Sequence, residues 1–217
     1  MYFKNRTEAG KRLAEFFENI SGGDTVVYAL PRGGVVVGAE IAKAINAPLD
    51  LIITRKIGHP MQPEYAIGAV AEDGHSILNE GILDVPEEYI HSEAKKQTQE
   101  AKRRRQTYLE GKPQIPCKGK VAILADDGIA TGLTMKAAIN ELKLHYNPQK
   151  IIVAVPVTPW EVSEEIKKMG AEVLAIITTK EFLGAIGAYY QDFNPVSDEE
   201  VIHILREGEK PWIFGQL

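Results

Sequence analysis

The chain has 217 residues, is 44% hydrophobic and carries a formal net charge of −5 at pH 7. That size allows one good core and a single domain over residues 1–217, while the acidic balance excludes a general nucleic-acid binder, which needs a basic face. One cysteine, Cys117, excludes an intrachain disulfide framework or a cysteine-rich zinc site, and with Lys4, Arg6 and Glu8 breaking any apolar leader and no membrane-length apolar run, a cytoplasmic protein without a membrane partner is expected.

Thr7 to Ile20 reads as an amphipathic helix with Leu13, Phe16, Phe17 and Ile20 on one face, closed by Ser21-Gly22-Gly23-Asp24. A strand over Thr25 to Leu30 ends in Pro31-Arg32-Gly33-Gly34, and a helix follows over Val35 to Asn46. The next strand, Leu49 to Thr54, leads through Arg55 and Lys56 into residues 57–66. Two prolines and Gly58 make that segment read as a mobile excursion rather than a tight turn. Ile67 to Glu72 and Ser76 to Asn79 form a hairpin around Asp73-Gly74. The helix from Glu87 to Glu110 is highly charged, with only Ile90, Ala94 and Ala101 as an apolar stripe. Acids interspersed with Lys102-Arg103-Arg104-Arg105 favour a solvated helix lying across the domain or along a dimer partner over a nucleic-acid patch. After a linker-like Gly111 to Gly119 come strands Lys120 to Ala125, Ile151 to Val155 and Glu172 to Ile177. Helices alternate with them at Leu133 to Leu144, Trp160 to Met169 and Asp198 to Arg206. Such alternation predicts an α/β fold with right-handed crossovers and an open, twisted, mostly parallel sheet flanked by helices.

The most informative stretch is residues 121–135. Val121 to Ala125 is continuously apolar, as a strand buried on both faces is, so Asp126 and Asp127 fall at its carboxyl end, where such sheets place ligands. Gly128, Ile129, Ala130, Thr131, Gly132, Leu133 and Thr134 then open a helix whose unpaired amides and positive end suit a phosphate. The carboxylates would accept from two vicinal hydroxyls, while Thr131 and Thr134 donate to phosphate oxygens; that is the layout of a ribose 5-phosphate site. Two aspartates at a strand end also serve simply to cap a helix or solvate a turn. At the end of the first strand, Gly33 and Gly34 permit close approach to an anion, and Arg32 offers it a forked donor.

An apolar strand, two acids, two variable residues, a small residue and Thr-Gly-x-Thr together resemble the phosphoribosyl diphosphate (PRPP) motif of the type I phosphoribosyltransferase family. Leu133 stands where many members carry a second glycine. The resemblance implies that fold, with a small hood to which residues 178–217 contribute. Residues 31–34 then correspond to the diphosphate loop, similar in its Arg-Gly-Gly to bacterial xanthine-guanine enzymes; in the family this loop often carries a non-proline cis peptide, which a sequence does not show. Residues 57–66 correspond to the flexible loop that closes over the site, with Arg55 and Lys56 at its base aimed at the diphosphate and His59 and Glu64 able to enter. Phe182, Tyr189, Tyr190 or Trp160 could stack on the acceptor base, and Asp192 faintly matches an acid of the hypoxanthine-guanine enzymes.

The resemblance further implies transfer of the PRPP ribose 5-phosphate to a nitrogenous acceptor with release of diphosphate, in a homodimer. Asp126 and Asp127 would fix the ribose diol beneath the forming oxocarbenium, and Arg32 and Lys56 would hold the leaving group. Mg²⁺ would be held through diphosphate and ribose oxygens, with no protein ligand assigned. Ala130 stands where enzymes for 6-oxopurines usually carry an aspartate, which speaks against a hypoxanthine-guanine activity. Two other readings stay open: a PRPP-sensing module without transferase activity, and an unrelated nucleotide-binding or receiver-like domain.

Overall fold

The computed structural model describes residues 2–63, 65–79 and 84–208. The elements are α1 (Arg6–Ala14), β1 (Thr25–Ala29), α2 (Gly33–Ile45), β2 (Leu49–Leu51), β3 (Thr54–Gly58), β4 (Ala66–Ala71), β5 (Ser76–Leu78) and α3 (Glu87–Leu109), followed by β6 (Val121–Ala125), α4 (Leu133–Glu141), β7 (Lys150–Pro159), α5 (Trp160–Lys168), β8 (Glu172–Thr179) and α6 (Asp198–Gly208). Five strands form a wholly parallel sheet in the order β2-β1-β6-β7-β8, and β3-β4-β5 form a separate antiparallel sheet. The first and motif strands are direct neighbours, with Ala29 opposite Ala125, so both of their carboxyl-terminal turns open on one edge of the sheet.

Strand alternation divides the parallel sheet's side chains between two cores. Val27, Ala29, Ile123, Ala125, Ile152 and Ala154 pack on the side of α2, with Val35, Ile41, Leu13 and Phe17. Val26, Tyr28, Leu124, Val153 and Val155 pack on the other side, against Met135 and Ile139 from α4, Leu142 just beyond it and Ile166 from α5. Burial on both faces is what the continuous apolar runs encode. The α2 helix lies close because of Gly38, where an added Cβ would come within 3.0 Å of the Ala29 Cβ. Among the described residues no helix is long and apolar enough to cross a membrane.

Three sequence expectations change. The strand expected over Leu49 to Thr54 breaks after Leu51: Ile52 and Ile53, both buried, carry the chain out of the parallel sheet, and Thr54 begins the antiparallel one. β3 and β4 pair antiparallel with Gly58 opposite Ala66, and between them backbone bonds run from His59 N to Tyr65 O (2.9 Å), Gln62 N to His59 O (3.2 Å) and Tyr65 N to Gln62 O (2.8 Å). Glu64 lies outside the described residues. The α3 helix is more than a solvated rod: Tyr108 and Leu109 join the main core, and the Arg105 guanidinium donates to Leu51 O (3.0 Å) and pairs with Asp50 (3.5 Å) and Glu72 (3.4 Å). The hairpin around Asp73-Gly74 forms as expected.

Candidate active site

The turn after β1 and the turn after β6 meet at the carboxyl edge of the parallel sheet. Leu30 N donates to Ala125 O at 2.9 Å, the Pro31–Arg32 peptide is cis, and α2 begins at Gly33. The two glycines are dictated by contact: a Cβ on Gly33 would lie 1.9 Å from Asp127 Oδ2, and one on Gly34 would lie 2.7 Å from Ala125 O and 2.9 Å from Asp126 Cα. The expected diphosphate loop and the expected diol acids are therefore one contiguous structure.

Beyond the acids, Gly128 at φ +152° is roofed by Ile186 and Val157, and Ile129 N donates to Val157 O at 2.8 Å, so the Ile129 amide is turned inward. Gly132 caps α4 at φ +76° with no side-chain cap, which leaves the first-turn amides of Leu133, Thr134 and Met135 without helical partners. The Leu133 side chain is buried against Ala69 and Ala137, so this residue offers the site its backbone, whereas Thr131 is exposed, and Thr134 and Ala130 are half-buried.

Asp127 is held from outside the motif. Arg6 Nε lies 2.7 Å from Asp127 Oδ2 while Arg6 Nη1 donates to Asn194 O at 2.8 Å, and the guanidinium stacks 3.8 Å from the centre of the Phe193 ring. Tyr190 donates its hydroxyl to Asp127 O at 2.7 Å, and Asp127 N donates to Asp126 Oδ1 at 2.8 Å. Burial pushes the Asp126 carboxyl well above the usual range and the neighbouring Asp127 charge adds to this. Burial also raises Asp127, and Arg6 opposes it there.

Other expected site residues lie apart. Arg32 is exposed and pairs with Asp198 of α6 at 3.5 Å. Arg55 and Lys56 are successive residues within β3 rather than the base of a loop; Arg55 Nε turns to Gln97 of α3 at 3.0 Å, and Lys56 is exposed. Tyr189 offers no face to a base: it is buried with Tyr2 on one contact and Phe182 on another, each centroid 5.5 Å away, and its hydroxyl accepts from Leu183 N. Phe182 packs into the same cluster. Trp160 is exposed, with Lys180 Nζ 4.9 Å from its ring centre. Asp192 is an Asx-turn acid that accepts from Asn194 Nδ2 at 2.6 Å. Arg6, Phe193 and Asn194 also belong to the site, although no local motif marks them.

A family profile described as the phosphoribosyl transferase domain matches residues 3–191. The chain belongs to this family. The fold is that of type I phosphoribosyltransferases, with the motif strand β6 central in the parallel sheet. Over 206 residues this family member is 38% identical to "Putative phosphoribosyl transferase Rv0571c" of Mycobacterium tuberculosis strain H37Rv, covering 94% of the chain and 46% of the relative. It thus spans about half the length of the curated relatives it matches. The crystal structure of TT1426 from Thermus thermophilus superposes with a TM-score of 0.78 at 40% identity, covering 95% of this chain and 99% of that one.

Proposed function

We propose that this domain transfers the ribose 5-phosphate of PRPP to a nitrogenous acceptor and releases diphosphate. The observation that carries the reading is the direct contact of the Gly33-Gly34 turn with Asp126 and Asp127, which brings a diphosphate loop against a diol-binding acid pair. The 5-phosphate is bound by the free amides of the first turn of α4 with Thr131 and Thr134, and the ribose hydroxyls by the acid pair. As the anomeric C–O bond breaks, its electron pair leaves with the diphosphate and the acceptor nitrogen supplies the new bond. Positive charge then develops on the ribose ring above the acid pair; Arg32 would reach the departing charge only by turning from Asp198, 3.5 Å away. The oxygen-only donor chemistry of Asp126 and Asp127 fits a hard cation; Mg²⁺ bound with PRPP would neutralise diphosphate charge there. The proposal includes a cytoplasmic homodimer.

A second reading is a PRPP-sensing module without transferase activity. It is favoured by Arg55, which turns to α3 instead of the diphosphate loop, and by the Arg6 pairing of Asp127. Calorimetric titration with PRPP in the presence and absence of Mg²⁺, followed by a screen of nitrogenous acceptors for diphosphate release, separates the readings. The transferase reading expects Mg²⁺-dependent binding, weakened by Asp126→Asn, and turnover with at least one acceptor. Binding without turnover selects the sensor, and no binding removes both.

A further inference from the structure

A second constellation lies away from the PRPP-type site, where the tip of the β4–β5 hairpin meets the far end of α4. The helix does not stop at Glu141 but widens into one π-helical turn over Leu142–Tyr146, which turns His145 toward the hairpin. Asp73 Oδ2 lies 2.7 Å from His75 Nδ1 and 2.6 Å from His145 Nε2, and the two imidazole rings are 5.9 Å apart at 62°. The other carboxylate oxygen of Asp73 accepts from His75 N at 2.9 Å, so the tight turn fixes the carboxylate with Oδ2 facing both rings. One atom from each residue lies within 4.8 Å of the others.

We propose that Asp73, His75 and His145 bind one divalent cation of the zinc class, clipping the β4–β5 hairpin to the end of α4. The donor set decides the class of ion. Two imidazole nitrogens and one carboxylate oxygen suit Zn²⁺ and its neighbours in the first transition row, whereas Mg²⁺ prefers oxygen alone. Three protein ligands leave a fourth position for water, and it opens on a cleft of about 550 Å³ that Asp73 and His145 line together with Glu72, Glu141 and Tyr146.

The surroundings support a cation. Glu72 and Glu141 are nearly fully buried in the cleft wall, 8% and 2% exposed, and the Tyr146 hydroxyl beside them has no hydrogen-bond partner among the described residues. Glu72 Oε2 and Glu141 Oε2 likewise have no hydrogen-bond partner among the described residues, and Arg105 Nε lies 3.4 Å from Glu72 Oε1. The bare alternative is a carboxylate shared by two imidazoles and nothing more. One carboxylate oxygen can accept from both rings, so the two cases differ in whether both imidazoles also ligate an added cation. The cleft shares no residue with the Asp126–Asp127 turn, so the cation site stands independently of the transferase reading.

The test is titration of the full chain, stripped with EDTA and free of affinity tag, with Zn²⁺ by calorimetry and with Co²⁺ by visible absorption. One cation per chain is expected, with Co²⁺ bands of a low-coordinate nitrogen–oxygen site and a rise in Tm on adding Zn²⁺. His75→Ala and His145→Ala should each weaken binding at least tenfold and abolish the Tm rise, while Asp126→Asn should change neither. His75 and His145 are exposed, so the variants are expected to fold; His145→Gln and the imidazole proton resonances of the wild-type chain, which should shift with Zn²⁺, provide a second readout. No binding at micromolar metal, or the same affinity in both alanine variants, would overturn the proposal.

Discussion

Arg6 and Asp127 are joined by a 2.7 Å ion pair across 121 positions of sequence, with only 11% and 13% of their side chains exposed. Exposed pairs contribute about 0–1 kcal/mol, whereas removing one partner of a buried pair costs about 3–5 kcal/mol because the other charge is stranded. Partial burial and the added bond to Asn194 put Arg6→Ala between these, at roughly 2–3 kcal/mol. Urea unfolding should show that loss, Arg6→Lys should recover part of it, and Arg6→Ala with Asp127→Asn should be more stable than Arg6→Ala alone. A single variant with wild-type midpoint would remove Arg6 from the account.

Gly33→Ala is expected to damage PRPP binding more than it damages the fold. The new methyl would overlap the Asp127 carboxylate, which can yield only by leaving Arg6, and PRPP affinity should fall at least about tenfold, or 1.4 kcal/mol. Gly23→Ala is the control, because an added Cβ there meets nothing nearer than Ser21 Oγ at 3.7 Å. Equal PRPP affinity in the two variants would argue against the diphosphate-loop assignment.

Ala130 leads to a prediction about the acceptor. Without a carboxylate at this half-buried position, proton management for a 6-oxopurine is lost, which typically costs about 10²- to 10⁴-fold in rate. Diphosphate release should be compared for adenine, orotate, uracil, hypoxanthine, guanine, xanthine and simple amines at saturating PRPP and Mg²⁺. Hypoxanthine, guanine or xanthine emerging as best by a wide margin would defeat the argument.

Burial raises Glu141 to about 9, with the charge of Glu72 adding to the effect. A carboxyl raised in the folded state has its full stability below the unfolded pKa and loses it as pH rises toward the folded one. The metal-free protein should therefore lose stability between about pH 4.5 and 9, by up to about 1.4 kcal/mol per pH unit for one proton. Glu141→Gln keeps the shape without the titration, so its Tm should fall less steeply over that window, measured in EDTA. Parallel Tm–pH curves for the two proteins would contradict the raised Glu141 carboxyl.

The sheet and its motif were legible because burial on both faces imposes continuous apolarity, as in Val121 to Ala125, and because the glycines of the two turns answer to close contact. The break after Leu51 was not, since Ile52 and Ile53 remain apolar through the bend while packing into opposite cores. Charge patterning hid Arg105, a half-buried cation turned to Asp50 and Glu72 within a run of four basic residues. Tyr189 could not be separated from a stacking platform until Tyr2 was seen to cover it. Arg6 depends on distant partners, which no local pattern reports.

Residues 2–4 and 189–192 are laced together by backbone bonds, and Arg6 reaches Asn194 over 188 positions, so the wall of the acid pair is assembled from regions far apart along the chain. Contacts of such separation carry the largest closure entropy and form late. The parallel sheet, whose neighbouring strands are nearer in sequence, is expected to reach native packing before this wall does. During refolding the recovery of ligand affinity should consequently trail the recovery of core signals, leaving an interval in which the protein is compact but does not yet recognise its substrate.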